Sequence, residues 1–260
     1  MIIFIHGMFM TPTCWERWIS FFKDKGVAGQ APPWPEHDKS VQELNTNVTA
    51  NYALAHLTFL QLIAHYESLI AKLPEKPVLI GHSVGGLIVQ VLVNKGLAKA
   101  GVAIDSAPPA GVKSYKLSFL KSNFHVVNPF VSAKKPYVMK LRKFRYAFAN
   151  SMPREEQEEA YRTYVVPESI RVPRELQKKA VIDFEKAHAP LLLIAGSADH
   201  IIPSSLNRKN FKRYEGGGAS SGGSVTEFKE FEDRSHTIIM QNGWEEVAEF
   251  VLEWVRKNGV

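Results

Sequence analysis

The chain has 260 residues, 45% of them hydrophobic, which is enough to bury the core of one α/β domain. Its net charge of +6 is too mild to indicate a nucleic-acid partner by itself, and we expect none. A single cysteine, Cys14, excludes an internal disulfide and indicates a reducing compartment. The apolar runs are too short for a signal peptide or a membrane span, so we expect a soluble, cytoplasmic protein.

Short β-branched runs alternate with helical patterns, which is typical of a parallel sheet covered by helices. The predicted strands are Ile2–Ile5, Val27–Ala31, Val78–Ile80, Gly101–Ile104, Leu191–Ala195 and Val225–Phe231. The predicted helices are Cys14–Lys25, Ala55–Leu73, Val84–Lys95, Pro203–Tyr214 and Trp244–Lys257. We expect Cys14 to pack in the interior, because no base motif accompanies it.

The alternation stops between Pro108 and about Ala187, where the chain is aromatic, charged and rich in proline. About 80 residues are too many for a loop in a compact domain. We therefore predict an inserted helical cap over residues 108–187, with residues 1–107 and 188–260 forming the core. A Gly/Ser tract, "GGGASSGGS" at 216–224, predicts a flexible connector, either natural or engineered.

The stretch "PVLIGHSVGG", residues 77–86, contains a G-x-S-x-G pattern centred on Ser83. A buried strand is predicted before it and a buried helix after it. A nucleophile on such a sharp turn needs small neighbours two positions away on either side, here Gly81 and Gly85. The alternative is a glycine-rich turn whose serine only caps the helix.

A serine hydroxyl needs a base to become a nucleophile, and the base needs an acid that orients it. His236, in "RSHTII", lies between the last predicted strand and the final helix. Asp199 follows the apolar strand of "LLLIAGSADHIIP", and Asp105, which also ends a strand, is the rival acid. Five other histidines have no such position and are interpreted as packed or surface residues: His37, His56, His65, His125 and His188.

Stabilising an oxyanion requires two aligned backbone N–H groups. Val84, at the start of the helix, offers one, and Met8, in "FIHGMF", offers the other. Further candidate substrate contacts lie beside these donors: His6, Gly7, Phe9 and His82. We expect no metal and no cofactor.

These motifs, in the chain order Ser83, Asp199, His236, resemble an α/β-hydrolase fold serine hydrolase of the cap-containing esterase or lipase type. The resemblance covers nearly the whole chain and implies a mostly parallel central sheet of about six strands with a helical cap. It also implies a triad of Ser83, Asp199 and His236, with Met8 and Val84 as oxyanion donors. The first two strands of the family's sheet are missing before the "HG" motif.

The segment from Ala107 to Arg154 contains ten lysines and arginines, interleaved with aromatic residues, and no Asp or Glu. The simpler interpretation is a solvated cationic face, and the alternative is a surface that attracts anionic lipids or acidic acyl carriers. The aromatic content favours a small-molecule ester with an apolar acyl group. A carboxylic ester hydrolase, with lactonase and thioesterase as variants, competes with a slow or non-catalytic ligand receptor that keeps the triad. The oligomeric state is left open.

Overall fold

The computed structural model describes residues 1–46, 48, 51–217 and 224–258, and these contain one six-stranded sheet. The strands are β1 (Ile2–Ile5), β2 (Gly29–Gln30), β3 (Val78–His82), β4 (Ala100–Ile104), β5 (Leu191–Gly196) and β6 (Thr226–Phe231). Their order in the sheet is β2-β1-β3-β4-β5-β6, and every neighbouring pair is parallel. The predicted parallel sheet of about six strands is confirmed.

Every residue of β1, β3, β4 and β5 is buried, as expected for strands covered by helices on both faces. β6 lies at one edge of the sheet and is partly exposed, which explains its charged sequence TEFKEF. Because all six strands run in the same direction, the loops that follow them meet at one edge, called here the carboxyl edge. Ser83, Asp105, Asp199 and His236 all lie in loops at this edge.

The helices surround the sheet and connect its strands. They are α1 (Glu16–Asp24), α2 (Val41–Thr46), α3 (Tyr52–His56), α4 (Phe59–Ile70), α5 (Val84–Asn94), α6 (Leu117–Val127), α7 (Leu141–Ala147), α8 (Arg154–Tyr164), α9 (Arg171–Lys179), α10 (Ser204–Gly216) and α11 (Trp244–Asn258). No helix in the described part of the chain is long and apolar enough to span a bilayer.

Most predicted boundaries shift by one or two residues, and three elements also differ in form. The helix predicted over Ala55–Leu73 is split into α3 and α4, because Thr58 and Gln61 form a capping box that starts a new helix. The helix predicted from Cys14 begins as a 3-10 turn, Pro12–Trp15, before α1. The strand predicted over Val27–Ala31 pairs only at Gly29–Gln30.

Residues 108–187 contain α6 to α9 and contribute no strand to the sheet. Backbone hydrogen bonds tie this segment to loops at the carboxyl edge: Val166 N–H donates to Phe9 O at 3.0 Å and Thr237 N–H donates to Phe148 O at 3.1 Å. The segment therefore lies over the edge that carries Ser83, although its division from the core as a separate domain stays a prediction. Most of the predicted Gly/Ser connector, residues 218–223, lies outside the described residues.

Candidate active site

Ser83 occupies the turn between β3 and α5 in a backbone conformation that side-chain-bearing residues rarely adopt, with φ 58° and ψ −121°. A Cβ atom at Gly81 would overlap the Gly85 carbonyl, and one at Gly85 would overlap the Ile5 carbonyl. The two glycines thus allow β3, α5 and β1 to approach closely enough to hold the strained turn.

Ser83, His236 and Asp199 form a continuous hydrogen-bonded chain. His236 Nε2 lies 2.9 Å from Ser83 Oγ, and His236 Nδ1 lies 2.6 Å from Asp199 Oδ2. Burial lowers the pKa of His236, which keeps its imidazole neutral and able to accept a proton. His82 Nε2, 2.8 Å from the His236 carbonyl oxygen, helps to fix this loop.

The two candidate acids have different partners. Asp199 Oδ1 accepts N–H groups from Ile201 and Ile202 at 2.7 and 2.8 Å, in addition to its contact with His236. Asp105 Oδ1 accepts only the Gly196 N–H, at 2.7 Å, and its Oδ2 has no hydrogen-bond partner among the described residues. Burial and the negative charge of Asp199 raise the pKa of Asp105 well above its ordinary value. Burial raises the pKa of Asp199 as well, but its two backbone N–H donors oppose that rise, so Asp105 is the more readily protonated of the two.

The loop after β1 brings Gly7 and Met8 against the serine. A Cβ at Gly7 would lie 2.8 Å from Ser83 Cβ, and both Met8 and Val84 line the cavity next to Ser83. Val84 is the first residue of α5, where helix N–H groups lack intrahelical acceptors. Both predicted oxyanion donors are therefore close to Ser83.

A buried ion pair holds this loop from behind. His37 Nε2 lies 3.1 Å from Glu168 Oε2, and both side chains are fully buried. The same Glu168 oxygen accepts the N–H of Phe9 at 3.4 Å, and Phe9 has a positive φ of 66°. Burial opposes a charged imidazole, but the negative charge of Glu168 and the hydrogen bond to it raise the pKa of His37.

A largely apolar cavity opens beside Ser83, with about 690 Å³ of free space that includes part of the open solvent. The segment 108–187 provides much of its wall, including Phe119, Val126 and Phe148. Phe148 also packs edge-on against the His236 ring, with ring centroids 4.9 Å apart. The cavity can therefore take an apolar group and hold it next to the serine hydroxyl.

Only some of the predicted substrate-binding residues lie next to the cavity or the serine. Phe9 lines the cavity, and Gly7 touches Ser83. His6 is fully buried behind the loop, where its Nε2 accepts the Trp34 N–H at 3.2 Å, and His82 is also buried. Neither histidine lines the cavity, so the geometry does not support direct substrate contact by them.

Cys14 is buried in the core as expected, and burial raises the pKa of its thiol, so it is a packing residue.

His82, Asp105 and His236 present ligand atoms within 4.8 Å of one another. Both ring nitrogens of His236 already engage Ser83 and Asp199, so a metal here would compete with that chain. Sequence reasoning missed the Glu168–His37 pair, because the two residues lie in irregular segments 131 positions apart.

A model of the alpha/beta hydrolase family matches residues 2–250. Comparison with curated proteins gives no significant match. One similar solved structure is a monoacylglycerol lipase from Paleococcus ferrophilus, with a TM-score of 0.69 and 19% identity, and the match covers 98% of this chain and 93% of that chain. A second is an extracellular alpha/beta-hydrolase from a Paenibacillus species, with a TM-score of 0.68 and 19% identity, and the match covers 100% of this chain and 99% of that chain. Another is a methylesterase from Arabidopsis, with a TM-score of 0.67 and 15% identity, and the match covers 98% of each chain. At these identities the likeness shows a shared fold.

Proposed function

Because the chain belongs to the alpha/beta hydrolase family, we propose that it is a serine hydrolase that cleaves carboxylic esters with an apolar acyl group. The observation that carries the proposal is the chain from Asp199 through His236 to Ser83, which ends at the mouth of an apolar cavity. The lipase and methylesterase among the similar structures are consistent with this reaction class.

In the proposed reaction, Ser83 Oγ attacks the ester carbonyl carbon while its proton passes to His236 Nε2. Asp199 holds the imidazole in the tautomer that can accept this proton and stabilises the imidazolium that forms. His236 then returns the proton to the leaving alcohol, and an acyl group stays on Ser83. Water, deprotonated by the same histidine, releases the carboxylic acid and restores the enzyme.

The N–H groups of Met8 and Val84 are the proposed donors to the oxyanion, which develops as the carbonyl becomes tetrahedral. Gly7 supports this role because it lets the Met8 loop lie against Ser83. The cavity wall supports an apolar acyl group, since Phe119, Val126 and Phe148 present no charge to a substrate.

The first test combines active-site labelling with turnover of p-nitrophenyl esters of increasing acyl length. We expect a fluorophosphonate probe to label the wild-type protein, with labelling and hydrolysis both lost in Ser83→Ala. Kinetics should favour acyl chains that fill the cavity over acetate. The matched control is Ser106→Ala, because Ser106 is also buried and follows the neighbouring strand β4.

Labelling that persisted in Ser83→Ala would show that another residue is the nucleophile. A wild-type protein that binds an ester analogue but neither reacts with the probe nor turns over any ester would support a ligand receptor instead.

A further inference from the structure

Exposed large hydrophobic side chains concentrate on one short stretch of the chain. Of the twelve such residues in the described ranges, six lie between residues 115 and 130, and Leu117, Phe124 and Phe130 are 83%, 63% and 94% exposed. This set, called here the apolar patch, consists of Tyr115, Leu117, Leu120, Phe124, Val127 and Phe130. Single exposed apolar residues are ordinary, but a group of neighbouring ones marks an interaction site.

Helix α6 explains why these side chains share one surface. Leu117, Leu120, Phe124 and Val127 follow one another at intervals of three, four and three residues, so they form a single stripe. A second stripe, Phe119, Asn123 and Val126, lines the cavity beside Ser83. Packing against the cavity thus uses one face of α6 and leaves the large apolar side chains of the other face mostly exposed.

Cationic side chains lie close to the apolar patch along the chain. No Asp or Glu occurs between residues 106 and 154. Six exposed lysines flank the patch along the chain: Lys113, Lys116, Lys121, Lys134, Lys135 and Lys140. Lys121 Nζ lies 3.9 Å from the centroid of the Tyr146 ring, and both side chains line a surface groove with Leu117, Leu120 and Phe124. Lysine stems can cover apolar surface while their charged ends remain in water.

We propose that the apolar patch and its six lysines dock onto the surface of an anionic lipid bilayer. A bilayer offers both complements at once, because its acyl region receives Leu and Phe side chains and its headgroups attract lysine. A helix with apolar residues on one side and lysines beside them is the form that proteins use at this interface. An acidic protein would match the lysines but not six exposed apolar side chains.

Docking in this way would place the cavity next to the lipid. Val127 belongs to the apolar patch and also lines the cavity, so α6 separates the bilayer from the space beside Ser83. An ester dissolved in the bilayer would then reach the serine past α6. This last step rests on the proposed function, whereas the docking surface does not.

The test is cosedimentation with vesicles of phosphatidylcholine alone and of phosphatidylcholine with about one quarter phosphatidylglycerol. Ser83→Ala serves as the parent protein, so that lipid hydrolysis cannot change the vesicles. We expect it to partition at least about tenfold more strongly onto the anionic vesicles. That preference should shrink as salt rises from about 50 to about 500 mM.

Two sets of substitutions separate the apolar and electrostatic contributions. The combined variant Leu117→Ser, Phe124→Ser, Phe130→Ser should lose binding to both kinds of vesicle. Lys113→Gln, Lys116→Gln, Lys134→Gln, Lys135→Gln should lose at least about tenfold on anionic vesicles only. The control for the apolar variant is Val225→Ser, just before β6, and the control for the lysine variant is Lys76→Gln with Lys99→Gln, just before β3 and β4. All three residues are exposed and lie at the opposite edge of the sheet. They should bind like the parent.

Equal partitioning of all variants, or no binding to anionic vesicles, would overturn the proposal. The proposal would also be overturned if vesicle binding were absent and the parent formed a concentration-dependent dimer in sedimentation velocity that the apolar triple variant abolished. The patch would then bind a second copy of the chain. The same substitutions in the wild-type background should leave kcat/KM on a soluble short-chain ester within about threefold, because none of the seven residues lines the cavity. Failure of the proposed function would look different: vesicles would bind, but no ester would be hydrolysed.

Discussion

Asp199 and Asp105 are two buried carboxyls at neighbouring strand ends, and their surroundings differ in how well they stabilise a negative charge. Asp199 accepts two backbone N–H groups and contacts the His236 ring, whereas Asp105 accepts one N–H group and is the more readily protonated of the two. A carboxylate can orient and stabilise an imidazolium, but a neutral carboxyl group cannot do so in the same way. The surroundings therefore favour Asp199 over its rival as the proposed orienting acid.

Asparagine substitutions at the two positions should have very different effects. Asp199→Asn should lower kcat on a p-nitrophenyl ester by about 10⁴-fold, because the histidine loses the tautomer that accepts the serine proton. Asp105→Asn keeps the shape of the side chain and an oxygen that accepts the Gly196 N–H, so kcat should stay within about fivefold. Melting temperatures provide the control for folding, and the reverse order of effects would assign the role to Asp105.

At the scale of elements, the loop after β1 depends on an irregular stretch of the 108–187 segment. Phe9 receives a hydrogen bond from Val166 and donates one to Glu168, whose carboxylate also pairs with His37. The positive φ of Phe9 is thus held by contacts more than 150 residues away in sequence. We infer that Glu168 is a positioning residue for the proposed oxyanion donor Met8.

Glu168→Gln should weaken both activity and stability, the latter in a pH-dependent way. Glu168 raises the pKa of His37 in the folded state above 6.5, its pKa in the unfolded state. The pair therefore stabilises the fold fully at pH values below the unfolded-state pKa, and this stabilisation is lost as the pH rises through the folded-state pKa. We expect the variant to lose about 3 kcal/mol of unfolding free energy at about pH 6 and less at about pH 9. Its kcat should fall about tenfold with little change in KM.

Denaturant titrations at the two pH values and ester kinetics measure these effects. Glu175→Gln is the matched control, since Glu175 accepts a backbone N–H, that of Phe59, but has no histidine partner among the described contacts. A stability loss in Glu168→Gln that was equal at both pH values would contradict the ion-pair argument. The other groups near His37 are His6, with ring centroids 5.4 Å apart, and Glu36, and both remain in the variant.

At the scale of the whole molecule, the parallel sheet has the candidate site at one edge and the Gly/Ser tract at the opposite edge. The carboxyl edge carries Ser83, Asp199 and His236, and the opposite edge carries the ends of the Gly/Ser tract. Ser224 accepts the His188 N–H at 2.8 Å just before β5, and α10, which runs back from the carboxyl edge, ends at Gly216. Changes in this tract should therefore not reach the site.

Insertion of six further Gly and Ser residues within 218–223 should leave kcat/KM within about twofold of wild type. Lengthening a loop costs only about 0.6 kcal/mol for each doubling, so the melting temperature should fall by only a few degrees. Ester kinetics and a thermal melt measure both quantities. A large loss of activity at unchanged melting temperature would show that the tract reaches the carboxyl edge.

The sequence by itself determined the parallel sheet, the order of its main elements and the turn at Ser83. These follow from local signals: apolar strands, helical periodicity and glycines at fixed spacing around a serine. It also placed Asp199 and His236 after strands, and in a parallel sheet the loops that follow the strands lie at one edge.

Tertiary structure decided what depends on contacts between distant residues. Sequence could not assign charge to Asp105, because its protonation follows from its burial and from Asp199. It could not find the pair of Glu168 and His37, since no periodicity links two irregular segments, nor could it show that His6 faces the interior. It identified a cationic, aromatic segment but not which faces of α6 are exposed, because both stripes carry large apolar residues and only packing against the cavity distinguishes them.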